Sequence, residues 1–303
     1  MSILLLIVFG AVFAIGQNLE QLAEERQSAD DFAGAERLRR EALRLAEQQY
    51  KPDDKRLAAP LTNLALSLHF EGRDAEAEPL ARRAVLIAEQ SGDRALLGVT
   101  LNGLGVVLAG EGQRARAEPV LRRSVALLEE TKGEDSLHVA RAANNLATLY
   151  ADTRQYSQAE HEMARVLPVY EKHLRPEDPV YVLALSNMFT ILYQLHRTSE
   201  GEPYLRRALA IGEKAFPDSL NMARLWHGLA ALEVSRENNK EAARLLEKVI
   251  AAEERLLGPQ HPELAQALEN YAGVLRQLHQ RNEAKNAHNR ALLIQKSLLG
   301  DVK

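Results

Sequence analysis

A chain of 303 residues with 46% hydrophobic and 26% charged side chains has an ordinary soluble composition and length enough for an extensive core. A net charge of −4 argues against a nucleic-acid backbone as partner. The absence of cysteine excludes disulfides, thiol nucleophiles and thiolate metal sites.

Met1 to Gly16, reading MSILLLIVFGAVFAIG, differs from everything after it. Ile3 to Ile15 is uncharged but short for a bilayer span. It ends in Ala14-Ile15-Gly16, a small-x-small pattern that suits signal-peptidase cleavage and would leave Gln17 first. Met1-Ser2 carries no Lys or Arg, which departs from the usual positive start. The expectation is a signal peptide over 1–16 and export to a periplasm or beyond. A helix covering the edge of the array and an uncleaved membrane anchor are the alternatives.

From residue 17 on, the chain repeats one unit, clearest over Leu61 to Glu89. Leu61, Leu64, Ala65 and Leu68 fall at helical spacing, Gly72-Arg73-Asp74 interrupts it, and Ala77, Leu80, Ala84, Ile87 and Ala88 resume it. One such helix–turn–helix cannot bury both apolar faces alone. The small residue opening each second helix recurs as Ala35, Ala77, Ala117, Ala159, Gly201, Ala242 and Ala284. A first-helix column runs Ala23, Ala65, Gly105, Ala147, Ala230 and Ala272, with Phe189 the bulky exception. Small side chains there let helix axes approach while Leu and Ile fill the space between. The expectation is an all-α solenoid of about seven repeats over 17–303. The short loops, such as Lys51-Pro52-Asp53-Asp54 and Phe216-Pro217-Asp218-Ser219, indicate no domain boundary. Pro79, Pro119 and Pro203 recur early in second helices, where a missing N–H is expected to cost least.

Asn63 to Ala84 and the loop Gly258-Pro259-Gln260-His261-Pro262 carry a resemblance. The chain resembles tetratricopeptide repeats of the longer kinesin-light-chain type common in bacteria. The resemblance implies a right-handed superhelix whose first helices line a groove for a peptide or protein, and it implies no chemistry. HEAT and armadillo repeats are the structural alternative, but their pattern lacks the Ala-Glu-Pro-Leu run seen here.

Charges follow the repeat. Glu36–Arg40, Glu78–Arg82, Glu118–Arg122 and Glu202–Arg206 stand at i, i+4 in the favourable order. The column Arg83, Arg123, Arg165, Arg207, Lys248 and Arg290 reads as a solvated face with repeat-to-repeat ion pairs rather than an anion-binding stripe. Catalytic and metal patterns are missing: the nine histidines scatter and Gly103-x-Gly105 follows no strand. Trp226 aligns with Leu61, Leu101, Leu185 and Leu268 and reads as core.

One further first-helix column reads Gln21, Asn63, Gly103, Asn145, Asn187, Gly228 and Asn270. By helical geometry it points away from the core, and Asn is a poor helix former. A carboxamide offers a donor and an acceptor, as clamping a peptide backbone requires. The expected groove residues are therefore Asn63, Asn145, Asn187 and Asn270, with Arg141 and Arg224 one turn earlier for anion recognition. The alternative is that the amides tie adjacent repeats together. The functional expectation is a non-enzymatic scaffold for a peptide or protein partner, without cofactor, metal, small-molecule substrate or nucleic acid. Self-association through the solenoid ends, or a regulatory subunit for a separate enzyme, are the other readings.

Overall fold

The structure is a computed structural model that describes residues 3–300, with side-chain environments described for 15–297. The described residues form helix pairs joined by tight turns and contain no strand. The pairs are α1 (Ile3–Ser28) with α2 (Phe32–Gln49), α3 (Ala58–Phe70) with α4 (Asp74–Ser91), and α5 (Arg94–Gly110) with α6 (Arg114–Lys132). Then follow α7 (Leu137–Asp152) with α8 (Tyr156–His173), α9 (Pro179–Gln194) with α10 (Thr198–Ala215), α11 (Leu220–Ser235) with α12 (Asn239–Leu257), and α13 (Pro262–Gln277) with α14 (Arg281–Gly300). This is the all-α repeat architecture the columns require. The signal-peptide expectation for Met1–Gly16 falls mostly on residues 1–14, whose side chains lie outside the description. Among the described residues, no helix is long and apolar enough to cross a membrane.

The chain divides into two compact units between Val169 and Tyr170, inside α8 and just after its interior Pro168. In the first unit, Leu61, Leu64, Leu68, Leu121, Leu128 and Met163 are fully enclosed. In the second, Phe189, Leu205, Leu246, Leu268 and Ile294 take that part. Each such side chain contributes about 1.5–3 kcal/mol on burial, which is where the fold's stability resides.

Every turn inside a helix pair is built alike. Residues with φ near +60° to +75° stand at Asp30, Gly72, Gly112, Arg154, His196, Glu237 and His279. The next residue donates its backbone N–H to the carbonyl five residues earlier, as in Arg73 to Leu68, Gln155 to Tyr150 and Gln280 to Leu275. This is the Schellman closure, which occupies carbonyls that the helix end leaves unpaired. Glycine is native to only two of these seven left-handed positions, so the turn is imposed by packing of the flanking helices rather than by local preference.

The small columns behave as the spacing requires, and the Phe189 exception is compensated. Phe189 is buried, and Gly201 stands opposite it, its missing Cβ 3.2 Å from both the Phe189 ring and the Phe189 carbonyl. The proline expectation needs correction. Pro79, Pro119 and Pro203 are each the sixth residue of their helix, past the free N–H groups of the first turn. Each therefore gives up one bond of the helical ladder.

The charge columns pair as expected. The i, i+4 contacts form, from 2.5 Å for Glu36–Arg40, Glu78–Arg82 and Glu202–Arg206 to 3.5 Å for Glu118–Arg122. Five of the six basic-column residues reach a glutamate on the preceding second helix. Arg83 meets Glu47 at 2.5 Å, Arg123 meets Glu89 at 3.2 Å and Arg207 meets Glu171 at 2.9 Å, while Arg165 pairs with Glu129 and Arg290 with Glu254. The sixth, Lys248, lies over the Trp226 ring at 5.4 Å. Exposed pairs of this kind add only about 0.2–1 kcal/mol each, so the ladder sets register more than stability.

Candidate functional site

The first helices α3, α5, α7, α9, α11 and α13 carry the carboxamide column, and the structure shows what each member faces. Asn145 on α7 donates through Nδ2 to Asn102 Oδ1 on α5 at 3.0 Å. Asn270 on α13 places Nδ2 2.5 Å from His227 Nε2 on α11, and its Oδ1 accepts from Gln266 at 3.2 Å. The two glycines obey the same rule. A Cβ at Gly103 would lie 2.5 Å from Thr62 Cγ2, and one at Gly228 would lie 3.6 Å from Ser186 Oγ. In all four cases the column residue meets the side chain just before the column in the preceding repeat. Two of the amides thus tie repeats together, the alternative weighed for them above.

The partner column is itself a sequence pattern. It runs Glu20, Thr62, Asn102, Asn144, Ser186, His227 and Glu269, polar in every repeat. Unbroken polarity beside a carboxamide column is the sequence signal of a side-chain seam between first helices.

The remaining expected residues divide. Asn63 is half-buried and lines a cavity of about 300 Å³ with Glu20, Ala42, Leu45, Ala59 and Pro60. Asn187 on α9 is half-buried and makes no side-chain hydrogen bond among the described residues. Arg141 on α7 is exposed, with no ion pair among the described residues. It lies in a positive neighbourhood: burial lowers the pKa of His138, and Lys132 and Arg141 add to the effect. Arg224 corrects its expectation. Its guanidinium grips Glu263 on α13 through Nη2 at 2.7 Å and Nε at 3.3 Å, so it is not open to an incoming anion.

Around that pair the second unit holds its main electrostatic feature. Burial pushes the Glu263 carboxyl up, but Arg224 outweighs it and holds the net value below the usual range. Burial lowers His227, keeping the imidazole neutral against Asn270. Glu253 on α12 is 2% exposed and its Oε2 has no partner. Burial first, and then Glu263, push its carboxyl up to about 8. Glu253 occupies a column otherwise filled by Ala46, Ala88, Leu128, Tyr170, Gly212 and Gln295. Among the described residues no group of His, Asp and Glu has metal-binding geometry.

Comparison with known proteins agrees with this architecture. The tetratricopeptide-repeat model matches residues 96–172, 181–254 and 221–297. No curated protein matches the chain. Among solved structures it is similar to kinesin-light-chain-like repeats from Podosopora anserina (Q17M form), at 22% identity and a TM-score of 0.54, over 68% of this chain and 97% of that one. It is also similar to a Rap protein complexed with Competence and Sporulation Factor, at 13% identity and a TM-score of 0.73, over 94% and 76%. A third is the Rap conjugation gene regulator of the plasmid pLS20 in complex with the Phr* peptide, at 10% identity and a TM-score of 0.72, over 93% and 73%. With its family matches covering more than half of its residues, the chain belongs to the tetratricopeptide-repeat family.

Proposed function

We propose that this chain is a non-catalytic scaffold that holds a peptide segment or a protein partner on the first-helix faces of its repeats. The observation that carries the reading is a division of labour within one column. Asn145 and Asn270 are spent on fixing one repeat against the next, while Asn63 and Asn187 keep donor and acceptor capacity in half-buried positions. Half-buried amides, each held on a packed helix, bind a peptide backbone at low entropic cost. Arg141 adds an exposed guanidinium for an acidic group on the ligand. Two of the similar structures hold ligands, Competence and Sporulation Factor in one and the Phr* peptide in the other, which supports the reading at the level of the fold. The proposal extends to export: Met1–Gly16 acts as a cleaved signal, so protein from the native host begins at Gln17 by intact mass, and a full-length cytosolic chain would refute it.

The binding test starts from a peptide selected from a displayed library against the full chain. Asn187→Ala should weaken its binding about three- to tenfold, from one net hydrogen bond of about 0.5–1.5 kcal/mol. Arg141→Ala should weaken acidic peptides more than neutral ones. The melting temperature should hardly change in either variant. Unchanged affinity in both, measured by fluorescence anisotropy, would place binding elsewhere.

A further inference from the structure

The ion-pair ladder changes sign at its two ends. Its acidic column, on the second helices, reads Glu47, Glu89, Glu129, Glu171, Glu213 and Glu254, then Lys296 on α14. Its basic column starts with Glu41 on α2 and continues Arg83, Arg123, Arg165, Arg207, Lys248 and Arg290. Each observed rung joins the acidic member of one repeat to the basic member of the next, as in Glu47–Arg83 and Glu254–Arg290. Glu213 and Lys248 form no rung, Lys248 lying over Trp226 instead, and the two remaining members, Lys296 and Glu41, are complementary in the reverse sense. One neighbouring contact points the same way. Glu36 on α2 meets Arg73 at 3.1 Å, and the residues in the corresponding end positions are Lys285 on α14 and Asp31, which caps α2 and pairs with Arg26 at 3.2 Å.

The apolar surface agrees with the charges. In the later repeats, the first-helix column containing Leu22 packs on the preceding second helix, as Tyr271 does against the cluster that holds Leu245 and Leu246 of α12. Leu64, Leu104, Leu146 and Met188 are buried in that column. On α1, beyond the proposed cleavage point, Leu22 stays open at 41% exposure. On α14 the column that faces a following repeat elsewhere (Val85, Leu209, Ile250) continues with half-buried Leu292, beside Leu293 at 67% exposure.

We propose that this chain associates head to tail, the open face of α1 in one copy receiving α14 of a second copy, with Lys296 set against Glu41 and Lys285 against Asp31. The junction continues the repeat stack while reversing the charges of its rungs. That reversal gives it a specificity the interior lacks, since a like-charge alignment is penalised and only end meets end. Glu41 now holds Arg44 within its own helix at 2.6 Å, an exposed pair that is cheaply exchanged.

Sedimentation velocity of the chain beginning at Gln17, from low to high micromolar concentration, tests the proposal. The expected result is concentration-dependent association that weakens as salt rises. Glu41→Lys and Lys296→Glu should each weaken it roughly three- to tenfold, since each turns an attraction into a repulsion. Combining both changes in one chain, or mixing the two single variants, should restore it. Leu22→Glu should weaken it in any salt. A chain that stays monomeric throughout, or association indifferent to both charge reversals, overturns the proposal. These outcomes are independent of peptide affinity at Asn187 and Arg141, so the two readings stand or fall separately.

Discussion

Asn145 and Asn102 face each other across adjacent first helices, the Nδ2 of one 3.0 Å from the Oδ1 of the other. The contact explains why a poor helix former recurs in the middle of first helices: the amide offsets its propensity cost by joining two repeats. Asn145→Ala should therefore lower stability by about 0.5–1.5 kcal/mol in spite of the gain in helix propensity. A double-mutant cycle with Asn102→Ala, followed by urea denaturation, should return a coupling energy of that size. Additive effects would mean that the amide contact contributes nothing.

Gly103 occupies the same column, where four of the seven repeats have Asn. Replacing it with the commonest residue of its column would ordinarily count as a stabilising change. Here it should destabilise by about 1–3 kcal/mol, because any Cβ meets Thr62 Cγ2 at 2.5 Å. Thr62→Ser, which removes that methyl group, should recover part of the loss. A Gly103→Asn variant with a melting temperature at or above the parent's would show that α3 and α5 can part without cost.

These two residues mark what was legible in the sequence. The helix pairs, the small columns and the charge ladder all follow from periodicity, because burial repeats with the helix and leaves a trace in composition. The direction of the carboxamide column did not follow. Angular bookkeeping on a single helix places Asn145 away from that helix's own core, but a solenoid sets a second first helix beside it. Whether Asn145 meets solvent or Asn102 depends on the distance between neighbouring helices, which the glycine at 103 and the polar column ahead of it encode only jointly. Arg224 fails for the same reason: its partner, Glu263, is 39 positions away in the chain. The prolines depart from expectation at a boundary: helix starts at Asp74, Arg114 and Thr198 place them beyond the first turn.

The turns offer a direct test of packing against local preference. Glu237 is exposed and held at φ 61°, a conformation that costs a side-chain-bearing residue about 1–2 kcal/mol. Glu237→Gly should stabilise by about 0.5–1 kcal/mol after the larger entropy of the unfolded glycine is counted. Gly112→Ala, at φ 75°, should lose about 1 kcal/mol. Opposite signs in the two variants, read from urea midpoints, are the expected outcome. Destabilisation by Glu237→Gly would mean that the side chain itself holds the turn.

The acid sensitivity of the second unit turns on Glu253. Its carboxyl is 2% exposed, and its folded pKa is pushed up to about 8 from an ordinary 4.5, by burial first and by Glu263 second. A carboxyl whose pKa is raised by folding binds its proton more tightly in the native state. Its stabilising contribution is complete below the unfolded pKa and is lost as pH rises through the folded one. Between about pH 4.5 and 8 the native state therefore loses stability on this account, by a few kcal/mol at most. Glu263 works in the opposite direction, since its lowered pKa contributes stability that disappears only as the solution becomes acidic. Glu253→Gln keeps the shape of the side chain and removes the charge. The variant should match the parent near pH 5 and exceed it increasingly towards pH 9. Hydrogen exchange of α12 and α13 should show the difference locally, with the parent's protection falling as pH rises (after correction for the intrinsic rate) and the variant's holding level. Parallel stability curves for the two proteins from pH 5 to 9 would show that Glu253 is ionised without penalty, and that water or a shifted side chain reaches it.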